Sequence, residues 1–195
     1  MSRSGAMPRV AQPDAPVRYV AFLRAINVGG HVVKMDALRQ HFESLRLRNV
    51  ETFIASGNVI FEAATRDAGS LETEIEERLH KKLGYEVATF LRTPRELAAV
   101  VAQQPFGAAD PLDAGHSLSI GFAKREPDAN AHTKLQAHAS DVDDFRIIGR
   151  EVFWLCRVRI SESKFTGARL EKVLGSPATF RNVTTVRKLA AKYQA

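Results

Sequence analysis

Two kinds of periodicity alternate along this chain, and their order constrains the fold more than any other feature. VRYVAFL, Val17 to Leu23, is short and rich in β-branched and aromatic residues, as strands are. MDALRQHFESLRL follows, with Met35, Leu38, Phe42 and Leu45 at helical spacing. VETFIAS and VIFEA are strand-like runs separated by Ser56, Gly57 and Asn58, residue types that close hairpins. SLETEIEERLHKKLGY carries a stripe of Leu71, Ile75, Leu79 and Leu83. Glutamates crowd its first turns, Lys81 and Lys82 lie near its end, and Gly84 closes it. EVATFLR is then a strand. The order β-α-β-β-α-β is the split-βαβ, ferredoxin-like unit, in which two helices cover one face of a four-stranded antiparallel sheet.

The pattern then recurs. TPRELAAVVAQQ opens with Thr93 as N-cap, Pro94 in the first helical position and Glu96 completing a capping box. FGAADPLDAGH reads as a loop. SLSIGFAK is a strand and DANAHTKLQAHA a weak helix. FRIIG and VFWLCRVRI are strands around a Gly149-Arg150 turn. A helix is expected from Ser161 to Leu174, ending at Gly175, then one short strand at ATF. TTVRKLAAKY closes the chain as a helix with Val186, Leu189, Ala190 and Tyr193 on one side. The expected fold class is α+β, two ferredoxin-like halves with antiparallel sheets joined by a connecting helix. Residues 1–16 read as a disordered leader, 17–92 as the first half, 93–115 as the connecting helix and loop, and 116–195 as the second half with basic C-terminal helices. The halves are related in topology, with no obvious relation in sequence.

Composition narrows the class. The chain has 195 residues, 45% hydrophobic and 26% charged, as an ordinary globular protein does. No apolar run approaches the roughly 18 residues that span a bilayer, and the N-terminus has no apolar signal core. No membrane partner is expected. Cys156 stands alone, so no disulfide within the chain can form, and a reducing cytoplasm suits it. Within VFWLC it reads as a buried inert thiol.

The net charge of +6 is unevenly spread: residues 150–195 hold ten basic and three acidic side chains. Such asymmetry fits an anionic partner, nucleic acid or a phosphorylated ligand, or a solvated basic helix face.

Common catalytic signatures are missing: no phosphate loop, no dinucleotide glycine turn, no nucleophile elbow. His132 and His138 are too far apart for a helical metal pair, and Asp141, Asp143 and Asp144 lack the calcium-loop pattern. No metal and no cofactor is implied. Ser161-Glu162-Ser163-Lys164 fits S-x-x-K, but its companion motifs are absent and helix capping explains the serines more simply. With no clear base or nucleophile, catalysis is left open and binding is easier to defend.

The stretch RAINVGGHVVK, between the first strand and first helix, suits an anion. Gly29 and Gly30 let the backbone turn and present successive N–H groups, the following helix start adds more, and Arg24 and Lys34 add charge. The alternative is plain loop geometry, with Asn27 bonding its own backbone. Ser56-Gly57-Asn58 has the same two readings.

YVAFLRAINVGGHVVKM, FIASGNVIFE, FLRTPREL and SKFTGARLEKVLGSPATFRNVTTVRKL together resemble a bacterial family catalogued as domain of unknown function 1697. The resemblance spans Tyr19 to Leu189. It implies an α+β fold of ferredoxin-like halves and no established activity. The family's opening has Gly where this chain has Ala25, which puts a need for positive φ there in doubt. Val183 replaces an aromatic residue of the closing pattern; if that residue stacks on a ligand in relatives, this chain has lost it. Polar motif residues carried over are Arg24, Asn27, Lys34, Ser56, Asn58, Arg92, Lys164, Thr166, Arg181, Asn182 and Thr185, although helix capping would also account for Thr166, Asn182 and Thr185.

Two functional readings follow. Nucleic-acid binding, placed slightly ahead, rests on the ferredoxin-like sheet that RNA-recognition modules use for base stacking and on the basic last quarter; no RNP1 octamer is present, and GFAK matches only a fragment. The other is a small phosphorylated or carboxylated ligand in the cleft between halves, lined by Arg24, Lys34, Arg92, Lys164 and Arg181 with Asn58 and Asn182 orienting it. The oligomeric state is not legible.

Overall fold

The computed structural model describes residues 15–27, 30–54 and 57–193. Residues 1–14 of the expected leader, together with Gly29 and Ser56, lie outside these. Strand β1 (Val17–Leu23), helix α1 (Met35–Glu43), strands β2 (Arg48–Thr52) and β3 (Asn58–Ala63), helix α2 (Ala68–Leu83) and strand β4 (Thr89–Arg92) follow in the expected order. They build an antiparallel sheet ordered β2-β3-β1-β4. Helix α3 (Pro94–Val101) and a 3-10 turn at Pro111–Ala114 lead to the second set: β5 (Ser117–Ala123), α4 (Ala129–Gln136), β6 (Asp143–Ile148), β7 (Glu151–Cys156), α5 (Gly167–Leu174) and β8 (Ala178–Asn182). Its sheet is ordered β6-β7-β5-β8, the same topology. Helix α6 (Val183–Lys192) ends the described fold. The fold is thus α+β with two ferredoxin-like sheets. No helix among the described residues is long and apolar enough to cross a membrane.

Local chemistry sets the element ends. The Thr93–Glu96 capping box forms as read from the sequence, and Gly84 ends α2 in the left-handed conformation at φ 80°. The helix expected over 161–174 is shorter. A 3-10 turn at Ile160–Glu162 is followed by extended chain, and α5 starts at Gly167. The reason is tertiary. Phe165 is buried in the core of the second half, and the Ser163 hydroxyl contacts both carboxylate oxygens of Asp143, at 3.0 and 2.8 Å. Thr166 then caps α5 by accepting from the Arg169 N–H. Ser161 is exposed in the 3-10 turn.

Strand alternation assigns the two faces of each sheet. From β1, Tyr19, Ala21 and Leu23 pack under α1 and α2, while Val20 and Phe22 point the other way. From β7, Val152, Trp154 and Cys156 join the core beneath α4 and α5, while Phe153 points the other way. The two helix-free faces meet and form a central core with α3 and α6. Phe22 and Phe122 stack there with ring centroids 4.0 Å apart and planes 10° apart, an aromatic geometry worth roughly 0.5–1.5 kcal/mol beyond area burial.

This meeting has an internal two-fold pattern. Val20 pairs with Arg92 on β4, and Ile120 pairs with Arg181 on β8. Phe22 pairs with Asn58 at the start of β3, and Phe122 with Glu151 at the start of β7. The repeat that the linear sequence conceals is therefore written in the register.

Edge strands β4 and β8 are blunted by carboxylates from their own helices. Glu76 accepts from the Thr89 N–H at 2.6 Å and Glu72 from the Leu91 N–H at 2.8 Å. Glu171 accepts from the Ala178 N–H at 3.0 Å. Satisfying these groups removes a template for pairing with another chain.

Ala25 resolves the doubt raised by its replacement of Gly: it keeps a positive φ of 56°. An L-residue with a Cβ is strained there. Ala25→Gly should raise unfolding free energy by about 1 kcal/mol in urea denaturation. Gly57→Ala should lower it by about 2 kcal/mol or more, because φ is 72° and the new Cβ would lie 2.6 Å from Ile26 Cγ2.

Candidate functional site

The two arginines nearest the sheet centres are not on a surface. Arg92 is 1% exposed and Arg181 8%. Arg181 reaches from the second half into the first, donating through Nε to Asn58 Oδ1 at 2.6 Å and through Nη2 to the carbonyls of Leu23, at 2.9 Å, and Gly57, at 3.3 Å. Its Nη1 donates to Thr179 Oγ1 and the Phe180 carbonyl, both at 2.8 Å. All five guanidinium N–H groups are thereby used. Arg92 mirrors it, donating through Nε to Glu151 Oε1 at 2.6 Å and through Nη2 to the Ala123 carbonyl at 2.8 Å. Each guanidinium also lies over the aromatic ring of the opposite half, Arg181 over Phe22 at 5.5 Å and Arg92 over Phe122 at 5.4 Å.

The mirror is imperfect in charge. Arg92 faces a carboxylate, whereas Arg181 faces a neutral amide and has no acidic partner among the described residues. Burial pushes the Arg181 pKa down to about 10, which leaves the side chain cationic at neutral pH. Arg92, Arg181 and Asn58 therefore tie the halves together rather than lining an open cleft.

The remaining expected site residues disperse. Arg24 turns to α5 and pairs with Glu171, through Nε and through Nη2 to Oε2 at 2.7 Å. That hydrogen bond raises its pKa. Asn27 accepts from the Val33 N–H at 2.7 Å, so it braces its own loop. Gly30 has φ 88° and open space where a Cβ would be. Lys34 and Lys164 are exposed, and Asn182 caps α6 by accepting from the Thr184 N–H at 2.8 Å. Val183 is buried in the central core, so that position serves packing in this chain and presents nothing to a ligand.

Four of the ten basic side chains of the last quarter pair with acids from elsewhere in the chain. Arg150 pairs with Glu96, Arg157 with Asp144, Arg187 with Asp110 and Lys192 with Glu51. Lys164, Arg169, Lys172 and Lys188 carry no ion pair among the described residues. The sheet faces that an RNA-recognition module would offer to bases are buried against each other. Cys156 is buried and its thiol pKa is raised by burial, as an inert core thiol requires. No cluster of His, Cys, Asp and Glu among the described residues could hold a metal ion.

What the halves do enclose is a cleft of about 470 Å³. Arg24 and Lys124 lie on it, each following the equivalent strand of its half. Lys124 donates to Glu76 on α2 at 2.8 Å, just as Arg24 pairs with Glu171 on α5. Glu76 and Glu171 each hold an edge-strand N–H as well, so neither is free to act as a base. Val87, Ala88 and Pro177 are its apolar lining, and the exposed Glu77, His80 and Glu86 complete it. Arg24 is 42% and Lys124 34% exposed along the side chain, and Arg24 Nη1 has no partner among the described residues. Lys124, Glu76, Glu77 and Glu86 escaped sequence reasoning. Their one signal was Lys124 ending GFAK as Arg24 ends VAFLR.

Comparison with known proteins agrees with this architecture. The model of the family described as "Protein of unknown function (DUF1697)" matches residues 17–153, and the chain belongs to that family. A solved structure, that of conserved bacterial protein SP0830 from Streptococcus pneumoniae, superposes with a TM-score of 0.68 at 24% identity, covering 93% of this chain and 100% of that one. This likeness concerns the fold. No curated protein matches the chain.

Arg92→Met should destabilise the protein by about 3–5 kcal/mol in urea denaturation, because it strands the Glu151 carboxylate. Adding Glu151→Met should recover part of that loss, since an apolar pair no longer leaves a buried charge alone.

Proposed function

We propose that this DUF1697 protein binds a small ligand bearing an acidic group in the cleft between its halves. The observation that carries the reading is the convergence of Arg24 and Lys124, from equivalent positions in the two halves, on one concave space with an apolar lining. Concave sites with a few convergent polar groups are where small ligands bind. The Nη1 of Arg24, without a partner among the described residues, supplies a directional donor for a carboxylate or a phosphate oxygen. Lys124 supplies a second positive charge.

Nucleic acid is the weaker reading. It needs either an open sheet face or an extended basic stripe. The free cations near α5 (Lys164, Arg169 and Lys172) are a small patch. Activity beyond binding has no assigned base or nucleophile. A reducing cytoplasm suits a chain whose one cysteine is buried.

Protein-observed NMR with a panel of small carboxylates and phosphates should perturb amides around Arg24, Val87, Ala88 and Lys124. Lys124→Met should weaken that binding about tenfold, the equivalent of roughly 1.4 kcal/mol. Labelled RNA and DNA should show no micromolar binding across a salt series. Steeply salt-dependent binding, lost when Lys164, Arg169 and Lys172 are changed to Gln, would sink the cleft reading in favour of nucleic acid.

A further inference from the structure

The charge around the cleft is not that of a simple anion receptor. Arg24 and Lys124 are its cations, and both are already neutralised, by Glu171 and Glu76. Glu77 and Glu86 add two exposed carboxylates that carry no ion pair among the described residues. The cleft as a whole is therefore negative. A polyanion entering it would find local donors and net repulsion.

The unpaired acids also come from one half. The cations come from both halves, at the ends of β1 and β5. Glu77 and His80 come from α2, which continues from Glu76 to Leu83, and Glu86 follows it. The equivalent helix α5 continues from Glu171 only to Leu174 and stops at Gly175. The second half thus contributes Pro177 to the apolar lining and no matching acids. A ligand in this cleft meets a guanidinium and an ammonium group from the two halves and, in the same lining, two unpaired carboxylates from the first half.

Building on the small-ligand reading above, we infer that the cleft selects a zwitterion: a small molecule with a carboxylate for Arg24 and Lys124, a short apolar body for Val87, Ala88 and Pro177, and a cationic amine for Glu77 and Glu86. Specificity comes from both charges of the ligand. A ligand lacking the amine leaves the two carboxylates unanswered and adds a like charge. One lacking the acid meets the two cations with nothing to offer them.

The test is a matched set on the full chain, followed by protein-observed NMR titration: γ-aminobutyrate and ε-aminocaproate as zwitterions, butyrate and caproate as acids alone, butylamine and hexylamine as amines alone. At least one zwitterion should shift amides at Arg24, Glu77, Glu86 and Lys124, with its single-charge analogues about tenfold weaker or worse. The Glu77→Gln/Glu86→Gln variant changes only exposed side chains, so its fold should be intact. It should erase the preference for the zwitterion over the matching acid. If butyrate or caproate binds the cleft as tightly as its amino counterpart, the zwitterion inference is overturned while the small-acid reading stands. If no member of the set shifts the cleft amides, the inference falls. A positive result with the wider carboxylate and phosphate panel would then show that the cleft binds acids of another kind, and silence there too would remove the small-ligand reading as well.

Discussion

The placement of two arginines in the interior governs this structure. A buried guanidinium must find an acceptor for every N–H or carry a heavy desolvation penalty. Arg181 meets that demand in full only when Leu23, Gly57 and Asn58 of the other half come to it, and Arg92 gains its ion pair and its cross-half carbonyl only from Glu151 and Ala123. The hydrophobic contact between the sheets is broad and non-directional. The arginine contacts are directional, so they fix how one sheet is set upon the other. That fixed relation in turn brings Arg24 opposite α5 and Lys124 opposite α2, and the cleft exists because those two approaches leave space between them.

Much of the fold was legible because it depends on local rules. Alternating Val, Tyr and Phe marked β1, the Thr93–Pro94–Glu96 signature marked α3, and Leu71, Ile75 and Leu79 marked the buried face of α2. The boundaries that slipped did so where a distant residue decided the local conformation. Ser161 to Phe165 could have been helical in isolation. Asp143 and the need to bury Phe165 drew that segment out.

The candidate site was less legible, for a reason that follows from residue type. Arginine is almost never fully buried unless its charge is satisfied, so Arg92 and Arg181 read as surface ligand contacts. Their acceptors lie far along the chain, and no spacing rule links Leu23 to Arg181. The positive surplus of the last quarter was also real in composition but smaller in space, because Glu51, Glu96, Asp110 and Asp144 fold back onto four of its ten basic side chains. Glu76 and Glu77 looked like the solvated face of an ordinary amphipathic helix, and Glu86 like the start of the strand that follows it. Only the folded chain shows that this face is a wall.

The unequal treatment of the two arginines has a consequence for how such a chain can change over generations. If the same arrangement were made by two identical subunits, every substitution would occur twice, once on each side of the axis. An acid added to one wall would appear on the other. Here the halves are covalently one, and each site mutates alone. Asn58 can stand where its counterpart is Glu151, and α5 can end early while α2 runs on. Joining the halves in one polypeptide thus releases the space between them from symmetry, and a cleft without symmetry can distinguish one end of a small molecule from the other.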